Sequence, residues 1–155
     1  LKKKTKITKI VKVIKITKAQ IKKKIKRLEN KAYKLWALYI KLRAGNKCET
    51  CPGTKYLNSH HIESYSVFKQ LRYDVHNGAC ACAGCHKYFK TGAWHKGFTF
   101  AYNHMTTKRK EDLDYLLTYQ FTHSEAEANQ PLTEEELVAT IKELERLIEE
   151  LNHDT

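Results

Sequence analysis

Two Cys-x-x-Cys pairs, Cys48-Glu49-Thr50-Cys51 and Cys82-Ala83-Gly84-Cys85, constrain this chain more than any other feature. Thirty residues lie between them. Two residues between thiols let both sulfurs of a pair reach one ion at about 2.3 Å, and two pairs complete a tetrahedral Zn²⁺ shell. Four thiolates leave no open coordination position, so the expected role is structural. Apparent zinc affinities of about 10–16 kcal/mol then help to fold a module with few apolar residues. A fifth cysteine, in Cys80-Ala81-Cys82, offers an alternative ligand. The spacing of the first pair favours Cys82 and Cys85. Lysines interrupt every apolar stretch of LKKKTKITKIVKVIKITK, so no secretory signal is expected there. Reduced thiolates holding a metal in a cytoplasmic setting fit better than a disulfide scaffold.

Charge divides the chain unevenly. Residues 1–43 hold 17 Lys/Arg against one acid, Glu29, while the remaining 112 residues carry a net −4. A basic arm on a near-neutral body implies a polyanionic partner, nucleic acid before an acidic membrane surface. No apolar run approaches the roughly 20 residues of a membrane span. At 155 residues the chain has the size of one domain with appended helices.

Residues 1–16 form a basic arm in which lysines alternate with β-branched residues, and neither helical nor strand periodicity prevails. Residues 17–45 read as a basic amphipathic helix. Thr17 and Gln20 make a capping box, and Gly45-Asn46 stops the helix. Ile21, Ile25, Leu28, Ala32, Leu35, Tyr39 and Leu42 recur at spacings of four and three, which places them on one face. Residues 46–104 break into short pieces, as a metal-organised module does. Residues 105–155 are helical. A helix over 107–121 presents Leu113, Leu116, Leu117 and Phe121 on one side. After Pro131, a second capping box (Thr133, Glu136) opens an acidic helix with Leu137, Ile141, Leu144, Ile148 and Leu151 in line. The basic and acidic helices are suited to pack on each other, within one chain or across a homodimer.

Between the cysteine pairs stand His60-His61 and, sixteen residues on, Asn77-Gly78. His86 follows Cys85 directly, so the second knuckle fixes its direction. Adjacent histidines point to opposite faces of a regular strand, but converge at a bulge or strand end. Trp94, Phe98, Phe100 and Tyr102 read as a small core. His76, His104, His123 and His153 read as ordinary surface or core residues.

The stretch SHHIESYS…LRYDVHNGACACAGCHKYF resembles the HNH endonucleases of the ββα-metal fold, in the subgroup stapled by two CxxC knuckles. It is also similar to phage-encoded members, some of them recombination or junction-cleaving enzymes. The resemblance covers about residues 46–100. It implies an α+β fold: a small zinc-stapled ββα-metal module flanked by long N- and C-terminal helices. It implies that His61 is the general base for an attacking water, a task suited to a neutral imidazole. By the same resemblance His60 and His86 hold a catalytic divalent ion, and Asn77 holds the base-bearing loop through backbone hydrogen bonds. Some relatives carry another histidine four residues after the His86 position, where this chain has Lys90. His95 is the candidate third ligand in its place. With two imidazoles and solvent, the site suits Mg²⁺, Mn²⁺ or another divalent ion.

The implied activity is metal-dependent hydrolysis of DNA phosphodiester bonds. Arg72, Lys87 and Lys90 flank the site as candidate phosphate contacts. Lysine-dominated contact reads little sequence, so low sequence specificity or a preference for DNA shape is expected. Two rival classes remain. A catalytically silent zinc-containing DNA-binding module, or a phage assembly factor, needs the cysteines and the basic arm but not the histidines. A membrane-surface or structural protein using residues 1–43 leaves the histidines unexplained.

Overall fold

The computed structural model describes residues 17–88, 94–95 and 98–153, the side chains of Phe98 and Thr99 excepted. The expected basic arm, Lys90 and the Phe98 side chain lie outside the described residues. The elements run α1 (Lys18–Arg43), β1 (Leu57–His61), β2 (Gly78–Cys82), α2 (Phe98–Lys108), α3 (Lys110–Thr122), α4 (Glu125–Ala128) and α5 (Glu134–His153). A 3₁₀ turn spans Lys69–Leu71, and a π-type turn spans Gly84–Tyr88. The chain is thus α+β, with a small two-stranded sheet among helices.

Local chemistry sets the helix ends. The Gln20 amide donates to Thr17 Oγ1, and the Thr17 amide donates to Gln20 Oε1. At the other end Gly45 and Asn46 take positive φ, 59° and 53°. Their amides return to the Leu42 and Lys41 carbonyls, which is a Schellman closure. Thr133 and Glu136 cap α5 in the same reciprocal way as Thr17 and Gln20.

Helices α1 and α5 pack within the chain. Ala32, Trp36 and Ile40 meet Leu137, Ile141 and Leu144 in one core. Lys24 pairs with Glu134 and Lys31 with Glu145, so the helices run in the same direction. The seam offered to a second copy is therefore used intramolecularly. The buried face of α1 differs from the expected stripe. Trp36 and Ile40 are fully buried, Leu35 and Tyr39 only partly, and Ile21 is exposed. The reason is that the second half of α1 covers the sheet as well as α5, which turns the buried face around the helix.

The hairpin pairs Leu57 with Cys82, Asn58 with Ala81, Ser59 with Cys80, His60 with Ala79 and His61 with Gly78. Side chains alternate across it. Cys80 faces the α1–α5 core. Ala79 and Ala81 face a second core with Leu71, Trp94, Met105 and Leu116. Gly78 lies hard against α1: a Cβ there meets Ile40 Cδ1 at 2.3 Å.

The C-terminal region departs from expectation in two places. Helix α2 runs through position 104, where a boundary was expected, and Arg109 separates it from α3. On α3 the inward face is Leu113, Leu116 and Tyr119, while Leu117 and Phe121 are exposed, Phe121 at 88%. The four leucine and phenylalanine positions span more of the helix circumference than its one packed side.

Candidate functional site

Two clusters of metal-ligating side chains share the hairpin. The sulfurs of Cys48, Cys51, Cys82 and Cys85 all lie within 4.8 Å of one another. Cys51 Sγ and Cys82 Sγ are 3.6 Å apart. A tetrahedron with 2.3 Å zinc–sulfur bonds has edges of about 3.8 Å, so four close cysteines fit a structural zinc. The first knuckle is shaped by the Cys48 amide donating to the Gly53 carbonyl and the Gly53 amide approaching Cys51 Sγ at 3.4 Å. Burial raises the Cys48 thiol pKa, but hydrogen bonds from Thr50 and the Cys82 backbone bring it well below the usual value. Burial pushes Cys85 up. Thiols release their protons on binding a cation, so such a site takes up metal with loss of protons. Cys80 stands apart from the cluster, buried on the other sheet face, and burial pushes its thiol up to about 11.

The second cluster is His60, His86 and His95, whose ligand atoms also fall within 4.8 Å. Each position has a local cause. His60 is on β1, facing away from α1, and is 8% exposed. His86 follows Cys85 on the π-type turn. The Trp94 and His95 amides donate to the Cys85 and His86 carbonyls, so a short backbone ladder carries His95 to His86. Nε2 of His86 and Nε2 of His95 are 3.0 Å apart. The His60 ring centroid is 5.2 Å from that of His86 and 4.7 Å from that of His95. Burial first, and then the neighbouring imidazoles, hold His60 down to about 3. Burial also lowers His86 and His95. All three rings therefore offer lone pairs at neutral pH. Imidazole donors of this kind suit Zn²⁺, Fe²⁺ or Ni²⁺ better than Mg²⁺.

His61 takes the opposite face. Its ring stacks on Trp36, with centroids 4.1 Å apart and planes 11° from parallel. Its Nε2 lies 2.8 Å from the Arg72 carbonyl, so Nε2 carries the proton and Nδ1 the lone pair. Burial lowers the His61 pKa, against the contrary pull of that carbonyl. Asn77 is fully buried. Its Oδ1 accepts from the Glu63 amide at 2.6 Å, and its Nδ2 donates to the Glu63 and Leu71 carbonyls. The loop after His61 is thereby tied to β2.

The flanking cations sort unevenly. The Arg72 guanidinium lies over the Tyr65 and Tyr73 rings and 3.9 Å from Glu29, beside His61. Lys87 is exposed on the turn that bears His86. Trp94 is buried against Phe100, but Tyr102 is 45% exposed and lies off the expected core. Sequence reasoning missed the Trp36 stack and the Arg72 carbonyl, which join distant segments and leave no spacing signal. It also took His76 and His104 as ordinary. His76 pairs with Asp112, and His104 lies 3.4 Å from Glu49. Burial acts against the Glu49 carboxylate, but hydrogen bonds from His104, Arg109 and the Cys80 amide hold it down to about 2.

No family model matches the chain, and neither a curated protein nor a solved structure matches it. No helix among the described residues is long and apolar enough to cross a membrane.

Proposed function

We propose that this chain is an HNH-type endonuclease that hydrolyses DNA phosphodiester bonds, its ββα-metal module built on β1, β2 and the turn that bears His86. The observation that supports the reading is the meeting of His60, His86 and His95 beside four close cysteines, with His61 at the next strand position and on the opposite face. The histidine trio fits a divalent ion by donor type and proximity. Such an ion, when bound, polarises the scissile phosphate and stabilises the leaving oxygen.

The protein groups do the rest. His61 is the assigned base: its Nδ1 would take the proton of an attacking water while Nε2–H stays committed to the Arg72 carbonyl, and because its ring lies on the face opposite the histidine trio, the phosphate has to pass round the end of β1 to meet both. The Trp36 stack limits rotation of the ring. Asn77 keeps the following loop in register. Arg72 and Lys87 supply positive charge on either side for phosphate oxygens. The lysines of α1 add contacts that weaken steeply with salt, because each neutralised phosphate releases counterions.

The test is plasmid nicking by the full chain with Mg²⁺, Mn²⁺, Zn²⁺ or Ni²⁺, wild type against His61→Ala. The expected result is metal-dependent cleavage, reduced by about 10²–10⁴-fold in the variant. Equal cutting by the variant overturns the assigned base. Absence of cutting on every DNA form and metal overturns the enzyme, and leaves a DNA-binding zinc module resting on the basic face of α1.

A further inference from the structure

A cleft of about 340 Å³ opens between α1 and the end of β1, lined by Glu29, Asn30, Tyr33, Lys34, His61, Tyr65 and Arg72. That volume is in the range of small-ligand pockets, roughly 300–1,000 Å³. Three of its lining residues, Tyr33, His61 and Tyr65, belong to a row of four aromatic rings whose fourth member, Trp36, is buried beneath. Tyr33 lies 5.9 Å from Trp36, Trp36 stacks on His61 at 4.1 Å, and His61 lies 5.1 Å from Tyr65. The inner members are covered, yet the two ends are not: Tyr33 is 45% exposed and Tyr65 is 49% exposed. The Arg72 guanidinium sits 5.1 Å above the Tyr65 ring.

Charge complements the rings. Lys22, Lys23, Lys26 and Arg27 are exposed on the same helix that contributes Tyr33 and Lys34. The lone acid of that helix, Glu29, is in the cleft wall, 3.7 Å from Lys26 and 3.9 Å from Arg72. A basic track that ends in exposed aromatic faces is what a single strand requires, since every base has a π-face and every linkage a negative charge. In an intact duplex the base faces are already stacked and do not reach the tyrosines.

We propose that this cleft is a base-stacking groove for single-stranded DNA, with Tyr33 and Tyr65 holding an unpaired base beside His61. The inference rests on the nuclease reading and narrows its substrate to DNA with unpaired bases at the cut, whether a free strand, a flap or a branch.

The experiment is fluorescence anisotropy on the zinc-loaded full chain. The probe is a short phosphorothioate-linked oligonucleotide, single-stranded or annealed, at fixed salt. Wild type is expected to bind the single strand more tightly than the duplex. Tyr33→Ala and Tyr65→Ala each weaken single-strand binding by about tenfold and leave duplex binding nearly unchanged. Tyr33→Phe retains the wild-type affinity because the ring remains. Circular dichroism checks that each variant is folded. Single-strand binding unchanged in both alanine variants, or a wild-type preference for duplex, overturns the groove. Those outcomes leave the nuclease standing if plasmid nicking persists. Stacking losses in a protein that cuts no DNA support the groove as a binding site and overturn its link to cleavage.

Discussion

The Asn77 carboxamide bonds three backbone groups of two residues: the Glu63 amide, the Glu63 carbonyl and the Leu71 carbonyl. Replacing it with alanine leaves those groups, the Leu71 carbonyl buried and the Glu63 pair part-buried, without that partner. Asn77→Ala is expected to cost about 2–4 kcal/mol, read from the urea midpoint at neutral pH. Asn77→Asp turns the donor edge into an acceptor facing two carbonyls, and burial disfavours its charge. The folded-state pKa of that aspartate is then raised above the unfolded value of about 3.9. Its protonated form is the compatible one, so stability is present below about pH 4 and is lost as pH rises. Relative to Asn77→Ala, the aspartate variant recovers stability between pH 7 and 4. A constant gap between the two across that range contradicts the assignment. The role of Asn77 was expected only from the resemblance of its stretch to a known motif, not from its spacing. Its actual partners were not legible, since Glu63 and Leu71 lend only backbone and any residue type offers the same groups.

Elements are held together by close approach as much as by apolar area. Gly78 opens β2 directly under α1, where a Cβ comes within 2.3 Å of Ile40 Cδ1 and 3.0 Å of Trp36. The Arg43 side chain reinforces the contact by donating to the Val75 and Gly78 carbonyls. Gly78→Ala is therefore expected to destabilise by about 1–3 kcal/mol through overpacking. Ile40→Ala costs about 2–5 kcal/mol by leaving a cavity. The double variant loses less than the sum, because the added methyl enters the vacated space. Strict additivity in a denaturation cycle places the clash elsewhere. The capping boxes at Thr17 and Thr133 and the glycine stop of α1 were readable, for they depend on residues three or four apart, while a third box, Ser124 with Glu127, was passed over. The inward faces of α1 and α3 were harder. Which side of a helix is buried depends on what lies against it: α1 serves two partners, and Phe121 on α3 has none covering it. His60 and His61 followed the plain alternation of a strand, which sends one ring to the histidine cluster and the other to Trp36.

At the scale of the whole molecule, two cores lie on opposite faces of one two-stranded sheet. A lone hairpin is marginal in water. This one is clasped by α1 on one side and by the cysteine knuckles at one end, where Cys82 closes β2 opposite Leu57. The α1–α5 pair buries a seam of its own, with Leu137, Ile141 and Leu144 against Ala32, Trp36 and Ile40. The second core takes Cys48 and Cys85 as members, so its walls include two of the four cysteines that could hold a structural metal. Removing zinc with a chelator is therefore expected to act unequally. Trp94, buried in the second core, reports on one side, and Trp36, buried in the helical seam, on the other. In a Trp36→Phe variant the remaining indole signal should shift to that of an exposed ring on chelation. Far-UV circular dichroism should keep much of its helical signal. Each Cys→Ser change at positions 48, 51, 82 or 85 should reproduce the chelated state, whereas Cys80→Ser should keep zinc while losing stability as a buried hydroxyl without thiol packing. Retention of one zinc per chain after Cys48→Ser contradicts the four-thiolate site. Loss of both signals together means instead that the helical seam depends on the metal-clamped sheet beneath it.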